Sequence, residues 1–145
     1  MNMRGVLVDW MAEVACGFNL RDEILHLAVS YVDRFLSREV ISRDKLQLLG
    51  ATALFVAFKY EDSHHGSARI FSASTANTYT TQQVVEMEVD ILRILNHEVG
   101  SPTVITFLRR FLTSCCGGNF ESISTITSPK KITVSFLRDL KYANS

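Results

Sequence analysis

"LLGATALFVAF" occupies Leu48–Phe58 and is the longest apolar run in the chain. It is too short to cross a bilayer, which takes about 20 residues. Polar residues stand on both sides of it, Ser42–Lys45 before and "KYED" (Lys59–Asp62) after. A helix that is polar at its start and apolar all round in its middle is one buried on every side by other helices. Ser42 reads as its N-cap, which predicts a helix from Arg43 to about Glu61.

The flanking segments supply the helices that such a centre needs. Upstream, Met3, Val6, Leu7 and Trp10 recur at i, i+3, i+4 and i+7, a helical stripe over Met3–Cys16 that Gly17 and Asn19 end. Asp22 then offers an N-cap carboxylate to "EILHLAVSYVDRFLSRE". Its apolar positions Ile24, Leu25, Ala28, Tyr31, Val32, Phe35 and Leu36 make a wide face.

Downstream, "DSHHGSARIFSASTANTY" is rich in turn formers and has room for a short helix around Ala68–Ser72. Thr80-Thr81-Gln82-Gln83 fits a capping box, and the helix behind it carries Val84, Met87, Ile91, Ile94 and Leu95 to about Asn96. Ser101-Pro102 pairs an N-cap with a proline at the first helical position, opening "TVITFLRRFL". Cys115 to Asn119 stops that sixth helix, and 120–145 shows no sustained period. The expectation is all-α: five helices around a central third (1–99), a sixth helix (100–115) and an irregular, weakly ordered tail (116–145).

Bulk properties exclude several function classes. The chain has 145 residues, enough for one domain, and a formal net charge of +0. That balance predicts neither nucleic acid nor an anionic membrane as a partner. Three cysteines, two of them adjacent (Cys115, Cys116), do not form a secreted disulfide framework and fit a reducing compartment. No charged region followed by an apolar core and a cleavage site opens the chain, so no secretory signal is expected.

Catalytic patterns are weak. His26 reads as a core-edge histidine, and the adjacent His64 and His65 are poorly placed to share a metal. Cys115-Cys116 lacks the C-x-x-C spacing that chelates zinc, and no phosphate-binding loop, H-E-x-x-H or G-x-S-x-G occurs. Neither enzyme activity, nor a cofactor, nor a metal is expected. "SPKK" at Ser128–Lys131 has the form of a proline-directed kinase substrate, though a solvated loop is the commoner meaning of such a tetrapeptide.

The informative charge is Glu88. It falls between Val84 and Ile91 within the apolar stripe of its helix, where a carboxylate must be paired, hydrogen-bonded or at an edge. Lys59 closes the apolar run of the third helix. Spacing alone allows a structural Lys–Glu pair as readily as a polar anchor in an apolar interface.

The motifs "MRGVLVDWMAEV", "HLAVSYVDRFLS", "KLQLLGATALFVAFKYED" and "YTTQQVVEMEVDILRILN" resemble, in order and register, the N-terminal cyclin box. The likeness is to A-type cyclins, and "GSPTVITFLRRF" is similar to their plant members. The resemblance covers about Met3–Leu112. It implies a regulatory subunit that binds and activates a cyclin-dependent protein kinase in nucleus and cytoplasm, with the chemistry left to the kinase. In that family the third and fifth helices pack on the kinase's mobile C-helix. The matching anchors are Lys59 and Glu88, with Val56, Ala57, Tyr60, Glu61 and Asp62 at further contact positions. Arg4 and Asp33 match an internal ion pair. Met3, Val6, Leu7, Trp10 and Glu13, with Leu46 and Gln47, match a docking face for Arg-x-Leu substrates or inhibitors, Glu13 facing the arginine.

Departures from the family are local. "KYEDSHHGS" stands where Lys-aromatic-Glu-Glu-aliphatic and a proline pair are usual, so Ser63 and the missing prolines predict a weaker apolar contact. Phe58 replaces a small residue and His97 an aromatic hydrocarbon. Family members continue into a second five-helix box, of which only the first helix is recognisable. Two other readings follow from the same likeness: a cyclin-fold transcription adaptor, and an inactive truncated cyclin.

Overall fold

A computed structural model describes residues 2–61 and 67–100, together with 107, 108 and 111. Among the described residues all regular structure is helical, as the sequence predicts: α1 (Met3–Gly17), α2 (Asp22–Arg38), α3 (Leu46–Glu61), α4 (Ala68–Ala73) and α5 (Thr81–Ile94). Residues 107, 108 and 111 are helical too, within the segment expected to form the sixth helix. Asp62, Ser63, His64, His65, Cys115, Cys116, Ser128 and the tail lie outside the described residues.

Helix α3 is the centre, and it packs against α1, α2, α4 and α5. Ten consecutive residues, Leu48 to Ala57, are buried. Small side chains make the close packing possible. A Cβ on Gly50 would lie 2.8 Å from Leu7 Cδ1 and 3.2 Å from Met11 Cγ, so α1 crosses α3 where no side chain intervenes. The Thr52 hydroxyl is satisfied by donating to the Leu48 carbonyl (2.8 Å), which removes the cost of burying it.

The helix ends follow local chemistry with two corrections. Asp22 is the first helical residue of α2 and not its N-cap, a place filled by Arg21, and it joins Glu23 in an acidic first turn that complements the helix dipole. Ser42 stands at the N-cap position of a 3-10 turn (Arg43–Lys45) without a side-chain capping bond, so α3 proper starts at Leu46. The capping box of α5 is present in full: the Thr80 amide donates to Gln83 Oε1 (2.8 Å) and the Gln83 amide to Thr80 Oγ1 (3.2 Å). Asn19 (φ 53°) and Asn96 (φ 57°) take the left-handed turns after α1 and α5.

Side chains of α2 clasp the end of α5 and the residues that follow it. The Tyr31 hydroxyl donates to the Val99 carbonyl (2.6 Å), Arg34 to the Glu98 carbonyl (2.8 Å) and Arg38 to the Ile94 carbonyl (2.6 Å). The orphan Ile94 carbonyl at the end of α5 thereby gains a cationic donor, Arg38. His26 is buried, as a core-edge residue would be, and its Nε2 has no hydrogen-bond partner. Burial alone pushes its imidazole below the ordinary value.

Candidate functional site

Two surfaces hold the residues singled out in the sequence, and each is organised by an ion pair between helices. The first lies where the last turn of α3 meets the middle of α5. Lys59 and Glu88 form an ion pair there, with side chains 44% and 12% exposed. The carboxylate inside the α5 stripe is thus compensated, and the ammonium keeps one side toward solvent. Lys59 Nζ also stands 4.7 Å from the centroid of the Phe55 ring, one turn earlier on α3.

Around this pair the surface is mixed. Tyr60 is exposed on α3, and Val85 and Val89 are exposed on α5, one turn apart and flanking Glu88. Glu61 is half-buried; Arg21 donates to its carbonyl (2.7 Å) and lies 3.7 Å from its carboxylate, joining the start of α2 to the end of α3. Val56 and Ala57, expected among the contact residues, are 4% and 0% exposed. They face inward and support the surface from the core, because α3 is enclosed on all sides up to Ala57.

The second surface is the outer face of α1 beside the start of α3. Arg4 and Asp33 form the internal pair between α1 and α2 that the resemblance implies: Nε donates to Oδ1 (2.6 Å) and Nη2 to Oδ2 (2.8 Å). This fork raises the Arg4 pKa above its ordinary value, chiefly through the hydrogen bond to Asp33. The stripe that spacing placed on one face divides. Val6 is 45% exposed and Met3 and Trp10 are half-buried, whereas Leu7, 6% exposed, is part of the core. Leu7 faces inward because its side chain fills the gap above Gly50. Glu13 is exposed and Leu46 and Gln47 are half-buried at the same end of α3.

Sequence reasoning did not single out Phe55, Val85 or Val89. The i, i+4 spacing of Phe55 and Lys59 was the available signal for the first. Among the described residues no cluster of His, Cys, Asp or Glu could hold a metal ion. No helix among them is long and apolar enough to cross a membrane.

Comparisons with known proteins identify the family and the fold. Residues 1–100 match the cyclin N-terminal domain. The chain is 70% identical over 122 residues to a putative cyclin-F3-1 of Oryza sativa subsp. japonica, covering 84% of this chain and 31% of that protein. It is 52% identical over 114 residues to cyclin-A3-2 of the same organism, covering 79% and 30%. It is also 53% identical over 110 residues to a putative cyclin-A3-1 of Arabidopsis thaliana, covering 76% and 31%. The A-type likeness is thus present, beside a higher identity to an F-type cyclin that the motifs did not indicate. The chain spans about a third of the length of these relatives. A viral cyclin from herpesvirus saimiri, solved by X-ray diffraction, shares the fold with a TM-score of 0.72 at 22% identity, over 77% of this chain and 49% of that one.

Proposed function

This chain belongs to the cyclin family through its N-terminal domain, residues 1–100, and from that premise we propose that it binds and activates a cyclin-dependent serine/threonine kinase. The reading is carried by the Lys59–Glu88 pair, a half-exposed cation and its counter-ion set at the α3–α5 edge among exposed Tyr60, Val85 and Val89. A mixed surface with exposed apolar side chains around a pre-paired polar group suits a specific helix-on-helix contact.

Docked there, the kinase's mobile C-helix would pack against α3 and α5 and rotate. Its glutamate would then reach the lysine that positions ATP, and the activation loop would open. This chain supplies no reacting group; it changes which conformation of the kinase is populated. The protein would act in nucleus and cytoplasm, in control of the cell cycle.

The α1 face supports a second contact of the same protein. Met3, Val6 and Trp10 offer apolar surface for the leucine of an Arg-x-Leu motif, and exposed Glu13 a carboxylate for its arginine. Co-purification with a monomeric cyclin-dependent kinase, followed by an assay of histone phosphorylation, tests the main reading. The complex should form and phosphorylation should rise. Absence of binding at micromolar concentration would reject it.

A further inference from the structure

Lys59 does not reach Glu88 as a free side chain. It is four residues after Phe55 on α3, so the two side chains lie one above the other. The Phe55 ring is buried, and Lys59 Nζ stands over it at 4.7 Å from the centroid, inside the ~6 Å range in which a ring face attracts a cation. The ring in turn is held by its neighbours. Phe71 of α4 packs on it at 5.6 Å between centroids, tilted by 44°. Phe71 also meets Phe58 (5.9 Å, 52°) and Phe18 (6.0 Å, 58°). These tilted arrangements are the favoured ones for aromatic pairs, and they fix the ring from the ends of α1, α3 and α4 together.

We propose that Phe55 is a positioning residue for Lys59: the face of its ring, together with the Glu88 carboxylate, holds the ammonium at the α3–α5 edge before any partner arrives. Lysine loses much rotamer freedom when it is fixed, and that loss normally falls on the binding step. Here the ring and the carboxylate take two sides of the ammonium and leave its remaining N–H toward solvent. A kinase then meets an assembled anchor and not a mobile one. The consequence for affinity rests on the kinase-binding reading, whereas the seat itself is a property of the free chain.

The test replaces Phe55, site-specifically, with mono-, di- and trifluorinated phenylalanine, which keep the shape of the ring and progressively remove the negative charge of its face. In the free chain, the Lys59 ε-methylene protons should resonate upfield of those of exposed Lys45 through the ring current. Their lineshape should broaden or average as fluorines are added and the seat loosens. Affinity for a monomeric cyclin-dependent kinase should fall stepwise, by about two- to five-fold from phenylalanine to the trifluoro ring. On a Lys59→Met background the same series should be flat. A flat series in the native background, with Lys59→Ala still weakening binding, would overturn the role of Phe55 and leave the kinase reading intact. If no variant binds kinase, the kinase reading fails, and the Lys59 resonances alone decide: an ordinary chemical shift overturns the seat, a ring-shifted one that responds to fluorination upholds it.

Discussion

Arg4–Asp33 and Lys59–Glu88 each join two helices through one cation and one carboxylate, yet they leave the molecule in different states. The guanidinium of Arg4 is spent: two of its nitrogens are committed to both oxygens of Asp33 in a fork. The ammonium of Lys59 is committed on two sides only, to Glu88 and to the Phe55 ring, with close to half of the side chain still exposed. The first pair locks α1 onto α2. The second presents a charge. Planar bidentate geometry favours the locking role and a compact point charge on a flexible stem the presenting one, so the choice of Arg at one seam and Lys at the other has a physical reason.

The core between the two seams is the place most sensitive to substitution. Gly50→Val should destabilise the chain by about 1–3 kcal/mol, because its side chain would displace Leu7 and Met11 and lift α1 off α3. A shift in the urea midpoint at constant slope measures it. Trp10→Ala should come next, weakening an Arg-x-Leu peptide by more than about 1.4 kcal/mol, or tenfold, while kinase affinity is unchanged. If it unfolds the chain instead, the half-buried tryptophan is core and the α1 face is no docking surface.

Arg4→Ala is expected to lower stability by about 1 kcal/mol, a figure already reduced for the partial exposure of the pair. Replacing Lys59 by Ala and Glu88 by Gln together should change stability by less than about 0.5 kcal/mol, since no nearly buried carboxylate is then left without its counter-ion. Equal losses would erase the distinction between lock and anchor.

The smallest effect concerns pH. Buried His26 takes up its proton less readily folded than unfolded, where its ordinary value is 6.5. Its contribution is therefore complete above pH 6.5 and is lost as the pH falls from there through the lower folded-state value. Replacing it by leucine should flatten the stability profile on the acid side, read by thermal melts at successive pH values.

The sequence made some of this legible and hid the rest for identifiable reasons. An all-apolar run flanked by amphipathic segments fixes a central helix, and the Thr80–Gln83 box marks a helix start to the residue. Glu88 stood out because a charge inside an apolar stripe demands compensation, and the compensation is there. The inward facing of Val56, Ala57 and Leu7 was not legible, because a matching family position does not say which way a side chain faces; enclosure of α3 and the space over Gly50 decide that. Phe55 was invisible as a special residue for a related reason. In a helix that is apolar all round, no pattern separates a ring that merely fills the core from one whose face meets a cation.

If the α3–α5 edge grips a kinase as proposed, the α1–α2 seam should leave kinase affinity untouched. Dissociation constants for a monomeric cyclin-dependent kinase, measured side by side for the parent chain, Lys59→Ala and Arg4→Ala, test it directly. Lys59→Ala should weaken binding by more than about 1 kcal/mol, roughly fivefold, with Arg4→Ala within about twofold of the parent. A parent chain that does not bind, or a Lys59→Ala variant that binds as well as the parent, would show that Lys59 is no kinase anchor.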